Sequence, residues 1–122
     1  MNTKNITIIG AIGTRIDHVL ANINILKIAL DNKIDARIID ENNEIKLLNR
    51  KTDIKKCKEY KYISFIPLTT YAEGITLKGF KYEIENYTLQ VGDSIGVSNE
   101  QILDIAQVDI NNGILIMIKS KD

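Results

Sequence analysis

Two stretches of the chain carry residue types and spacings that could do chemistry. The first is Gly10-Ala11-Ile12-Gly13-Thr14-Arg15-Ile16-Asp17-His18, where a β-branched apolar run gives way to helical spacing. A glycine loop meeting a helix start presents unbonded N–H groups and the positive end of the helix dipole, which suits an anion. Arg15 adds a permanent cation and Asp17 a carboxylate, so a phosphate site is one reading. The other is a glycine turn and a capped helix with Arg15 and Asp17 solvated. The loop is not a P-loop, because no Gly-Lys-Ser/Thr ends it, and it lacks the third glycine of a dinucleotide fingerprint. The second stretch is Gly92-Asp93-Ser94-Ile95-Gly96-Val97-Ser98-Asn99-Glu100, whose small polar residues can present a hydroxyl and an amide to a ligand. It can equally be a turn in which Ser98 or Asn99 satisfies backbone N–H groups.

Other reactive groups stand alone. His18 is the single histidine and no catalytic triad can be assembled around it. Asp17 by itself does not hold Mg²⁺ without phosphate oxygens or further acids. Cys57 is the single cysteine, which excludes an internal disulfide and a multi-cysteine metal site, and an inert thiol is the reading for it. The five tyrosines are expected to pack at strand edges.

The 122 residues make one ordinary domain or two very small ones, and 44% hydrophobic content suffices for a core. Sixteen basic and sixteen acidic residues cancel, which removes the electrostatic case for nucleic acid or an anionic membrane. No apolar run approaches a membrane span and no signal peptide opens the chain, so a soluble cytoplasmic protein is expected. The excess of 24 Ile over 4 Val, and of 13 Lys over 3 Arg, is how an AT-rich genome spells an ordinary protein.

The elements that must position these residues follow from periodicity. Residues 5 to 9 read as a parallel strand buried on both faces, and Ile16, Val19, Leu20, Ile23, Leu26 and Leu30 recur at helical spacing. Thr14 suits the N-cap, with Asp17 three positions on, and Asp31-Asn32 ends the helix. Residues 36 to 40 form the next strand, completing a β-α-β unit with a right-handed crossover. From residue 44 onward the chain reads as short strands between turns: 45 to 48, 62 to 66, 74 to 78, 82 to 84, 87 to 91, 94 to 97, 105 to 110 and 114 to 119. Asn111-Asn112-Gly113 reads as a hairpin turn between the last two. The fold class is therefore α+β and mostly β, one β-α-β unit followed by an antiparallel β-sandwich or barrel. A lone β-α-β unit leaves a sheet face and an edge bare. A segment preceding residue 1, a second copy or the β half must complete it, and the preceding segment is favoured.

Taken together, these stretches resemble the thiamine pyrophosphokinase family. The family's Gly-Ala-x-Gly-Gly-Arg-x-Asp-His-x-Leu-Ala-Asn-Ile block is similar to Gly10 to Ile23, and its Ile-Pro-Leu-Thr, Gly-Ile-Thr-Leu-x-Gly-x-Lys-Tyr and Gly-x-Ser-x-Gly-x-Ser-Asn-Glu stretches to Ile66 to Thr69, Gly74 to Tyr82 and Gly92 to Glu100. The closing strand of the family looks like Gly113 to Asp122, while Thr14 stands where the family usually has a second glycine. The resemblance implies transfer of diphosphate from ATP to the thiamine hydroxyl, giving thiamine diphosphate and AMP, with Mg²⁺. It implies that Asp17 and Arg15 serve the reaction, that Gly13, Thr14, Arg15, His18 and Asn22 form or support the ATP phosphate site, and that Ser98 and Asn99 line the thiamine pocket. It implies a homodimer with sites at the seam. Nothing in the chain matches the family's acidic metal-binding motifs, so the chain looks like a C-terminal portion: residues 1–43 from the nucleotide domain and 44–122 as the thiamine-binding domain. Alone it is expected to be inactive. The alternative is a non-catalytic thiamine-binding or dimerisation module.

Overall fold

In the computed structural model, which describes residues 4–10 and 15–121, the chain begins with strand β1 (Asn5–Ile9) and helix α1 (Ile16–Asp31). The helix buries Ile23, Leu26 and Ala29 on one face. Arg15 occupies the N-cap without a side-chain capping bond, and the Asp17 carboxylate instead accepts the His18 N–H at 2.9 Å. Thr14, expected at the cap, lies outside the described residues, as does Gly13. Asn32 closes the helix as expected, its side-chain amide donating to the Ile28 carbonyl at 2.8 Å.

Strand β2 (Asp35–Ile39) pairs parallel to β1, from Asn5 opposite Asp35 to Ile9 opposite Ile39. The same sheet then continues into the β-rich half. After a turn in which Asp40 accepts the N–H groups of Asn42 and Asn43, β3 (Asn43–Leu48) pairs antiparallel to β2. β9 (Leu115–Ser120) pairs with β3, and β5 (Tyr62–Pro67) with β9, giving the order β1-β2-β3-β9-β5. The β half thus extends the parallel pair on the β2 side, and the outer edge of β1 has no partner among the described residues. β1 is not buried on both faces as its sequence suggests. The helix packs on β2 and β3, leaving Ile6 and Ile9 exposed and Ile8 half-buried.

A second sheet has the order β4-β8-β6-β7, with β4 (Thr52–Lys55), β6 (Tyr71–Lys78), β7 (Ile84–Gln90) and β8 (Ile105–Asp109). Leu48, Ile63, Phe65, Leu115 and Met117 of the first sheet share a core with Ile54, Ala72, Ile75, Leu77, Leu89, Ala106 and Val108 of the second. Strand alternation explains how β9 serves both faces: Leu115 and Met117 enter this core, whereas Ile116 and Ile118 pack with the helix side.

Four strand readings differ from the sequence. Asn111-Asn112-Gly113 does not close a hairpin, because β8 and β9 belong to different sheets. Gly113 does adopt φ +99, but the turn carries the chain from one sheet to the other while Asn111 and Asn112 bond Glu73 of β6. In place of the runs 82 to 84 and 87 to 91 there is one strand, β7, from 84 to 90, and 94 to 97 lies in a turn segment. β4, hidden in a lysine-rich stretch, was not expected.

Candidate functional site

The segment after β7 lies along the outer edge of β5. Ile63 and Asn99 exchange both backbone hydrogen bonds at 2.9 Å, and the Phe65 N–H donates to the Gly96 carbonyl at 2.8 Å. Between these anchors Ser98 adopts φ +59, and its N–H donates to the Ser64 hydroxyl at 2.9 Å. Ser98 itself is exposed. Gly96 is required here, since a Cβ at this position would stand 2.3 Å from the Phe65 carbonyl oxygen.

Asn99 is 1% exposed and its side chain is committed internally. Its Oδ1 accepts from the Tyr82 and Glu100 N–H groups at 3.0 and 2.9 Å, and its Nδ2 donates to the Tyr82 carbonyl at 2.8 Å. A buried amide satisfied in this way fastens two chain segments together. The Lys81 N–H donates to the Glu100 carbonyl at 2.8 Å, and the Lys81 ammonium, held above its ordinary pKa by Tyr82 and Glu100, lies 3.5 Å from the Glu100 carboxylate. Tyr82 is itself exposed.

The start of α1 is a separate constellation. Arg15 donates to Asp17 across 2.6 Å, with both side chains mostly exposed, and His18 is exposed while Asn22 is half-buried one turn further on. An exposed pair of this kind adds little stability. It leaves both charges available to a ligand. Among the described residues no group of three or more His, Cys, Asp or Glu is placed to hold a metal ion. β1, which leads to α1, and β5, against which the Ser98 turn lies, are the two edges of the five-stranded sheet. Four strand spacings separate them, about 19 Å.

Residues 51–115 match the sequence family described as "Thiamin pyrophosphokinase, vitamin B1 binding domain". The chain belongs to the thiamin pyrophosphokinase family. Thiamine pyrophosphokinase from Bacillus subtilis (strain 168) is 39% identical over 118 residues, a stretch covering 96% of this chain and 55% of that protein. The crystal structure of thiamine pyrophosphokinase from Bacillus subtilis superposes with a TM-score of 0.92 at 38% identity, over 98% of this chain and 56% of that one. The thiamin pyrophosphokinase structure from Geobacillus thermodenitrificans gives 0.89 at 30% identity, over 100% and 56%. The chain therefore spans about half the length of these thiamine pyrophosphokinases. The family match includes Ser98 and Asn99 but stops short of Arg15 and Asp17.

Within this chain, sequence reasoning missed Ser64 and the Tyr82 backbone as partners of the 98–99 segment. One signal was available: Ser64 is the polar residue inside the run Ile63-Ser64-Phe65-Ile66. A cleft of about 370 Å³ was not foreseen either; Glu100, Gln101, Tyr60 and Lys119 help to line it.

Proposed function

We propose that this chain is the thiamine-binding part of a thiamine pyrophosphokinase together with the last β-α-β unit of its nucleotide-binding part. On this reading residues 1–43 belong to the nucleotide domain, and residues 44–122 form a β-sandwich that binds thiamine. The observation that carries the proposal is the match of residues 51–115 to a vitamin B1 binding domain, a span that includes the Ser98 turn and the Asn99 clamp.

The thiamine hydroxyl oxygen forms a bond to the β-phosphorus of ATP as the bond from that phosphorus to the α,β-bridging oxygen breaks. AMP leaves, and the hydroxyl proton passes to water or to a carboxylate. Catalysis of such a transfer rests on positioning and on neutralising charge. Arg15 meets the phosphates, and Asp17, paired to it at 2.6 Å, orients the guanidinium or the attacking hydroxyl. Gly13, Thr14, His18 and Asn22 form or support that loop, and Ser98 faces thiamine. Bound Mg²⁺ supplies further neutralisation of the phosphates. The described residues do not make a metal site of their own, since Asp17 is the single carboxylate at the start of α1, so the remaining ligands would come from outside them. Arg15 follows β1 and the Ser98 turn lies against β5, the opposite edges of the first sheet, and this arrangement supports a homodimer with sites at the seam.

The test is formation of thiamine diphosphate and AMP from thiamine, ATP and Mg²⁺ by the whole polypeptide that the reading frame encodes. Product is expected, while the 122 residues alone are expected to be inactive. Arg15→Ala and Asp17→Ala should each lower the rate by about 100-fold or more with an unchanged melting temperature. Normal turnover in both variants sinks the site assignment. A second reading, a non-catalytic thiamine-binding or dimerisation module, is favoured by a family match confined to the vitamin B1 binding domain. An in-frame stop codon directly before Met1, with thiamine bound but not turned over, decides for the module.

A further inference from the structure

Ser98 stands at φ +59, in the left-handed region that a Cβ disfavours and that glycine usually fills. Such a residue persists only where its surroundings over-determine it. The hydrogen bonds along β5 show what does so. Ile63 pairs with Asn99, so a regular antiparallel ladder would set Phe65 opposite Val97; instead the Phe65 N–H donates to Gly96. The loop side therefore carries one residue more than the strand side, the arrangement of a β-bulge, whose left-handed position is commonly a glycine. A bulge takes an N–H out of the ladder. Here the Val97 N–H donates to the Ser94 carbonyl at 3.1 Å instead, and left-handed Ser98 turns its own N–H to the Ser64 hydroxyl, which accepts it at 2.9 Å.

Resting on the reading that thiamine binds at Ser98, we propose that Ser64 is a positioning residue for thiamine recognition: its hydroxyl holds the Ser98 N–H, and with it the bulge that presents the Ser98 side chain to the ligand. A serine hydroxyl both donates and accepts, which suits the mixed donor and acceptor edge of an aminopyrimidine. The Ser64–Ser98 bond lies at an exposed edge, where water replaces a lost partner. Its removal should therefore cost geometry more than stability.

The experiment is calorimetric titration of thiamine into the whole encoded polypeptide. Ser64→Ala is expected to weaken binding roughly tenfold with little change in melting temperature, and Ser64→Thr, which keeps the hydroxyl, to restore it. In a Ser98→Gly background, Ser64→Ala should cause no further loss, because glycine adopts positive φ without help. Should Ser64→Ala fail to fold, Ser64→Cys keeps the volume with a weaker acceptor and carries the same expectations. Wild-type affinity in the Ser64 variant, or an equal loss in the Ser98→Gly background, overturns the positioning role while leaving thiamine binding intact. Absence of binding by the unaltered protein instead overturns the functional reading, and this inference with it.

Discussion

Tyr60 is half-buried, and its hydroxyl is held above the ordinary value of 10.0, first by burial and then by the Glu44 and Glu59 carboxylates and Cys57, with Arg37 opposing. The folded protein therefore keeps this proton at pH values where the unfolded chain has already released it. The resulting stability is complete below pH 10 and is lost as the pH rises through the folded pKa. Tyr60→Phe cannot ionise and should flatten the decline in urea midpoint above about pH 10; an unchanged alkaline limb would count against the assignment. The same scale shows how far residue type alone can be read. Ser98 is exposed as a ligand group should be, but Asn99, equally polar and adjacent in sequence, is buried with three hydrogen bonds to backbone. The difference was not legible because it depends on Tyr82, 17 positions away, arriving with both its N–H and its carbonyl aimed at the amide.

At the scale of elements, the Ser98 turn is as good as its attachment to β5. Gly96→Ala would force a methyl group against the Phe65 carbonyl and detach one anchor of the bulge. A loss of about 1–3 kcal/mol in unfolding free energy and weakened thiamine binding are expected together, read by urea denaturation and calorimetry on one preparation; a fully stable variant with unaltered affinity would contradict the attachment. Helix α1, with its end at Asp31-Asn32, and most of the strands were legible from periodicity. The misread connection at Asn111-Asn112-Gly113 has a physical reason: positive φ at Gly113 serves a tight hairpin and a step between sheets equally well. Local sequence specifies the bend, whereas the destination depends on β9 inserting between β3 and β5. β4 escaped notice because only Ile54 of its four residues is buried and the other three are polar or charged.

For the whole molecule, the helix has a second apolar stripe. Leu20 and Ile28, at 59% and 62% exposure, lie on a side of the helix other than the one that enters the core, and Ile16, at 76%, stands exposed at the edge of the core-facing stripe. Exposed apolar side chains of this kind on a helix suit burial against a further partner. Leu20→Lys should change the stability of these 122 residues by no more than about 0.5 kcal/mol, yet reduce thiamine diphosphate formation by the whole encoded polypeptide. Full activity in that variant would leave the stripe uncovered. The sequence left the layer to be completed by a preceding segment, a second copy or the β half; the β half extends it on the β2 side, although no local signal couples β2 to β3 across the turn at Asp40. That coupling bears on how the chain acquires its structure during synthesis. β9 is the strand that joins β3 to β5, and the Ser120 hydroxyl meets the Asn43 side chain 77 positions earlier in the sequence. When β3 and β5 leave the ribosome the strand that lies between them is still missing, so the first sheet can be completed only after nearly all of these residues have been translated, and until then the facing edges of β3 and β5 are open to misassociation.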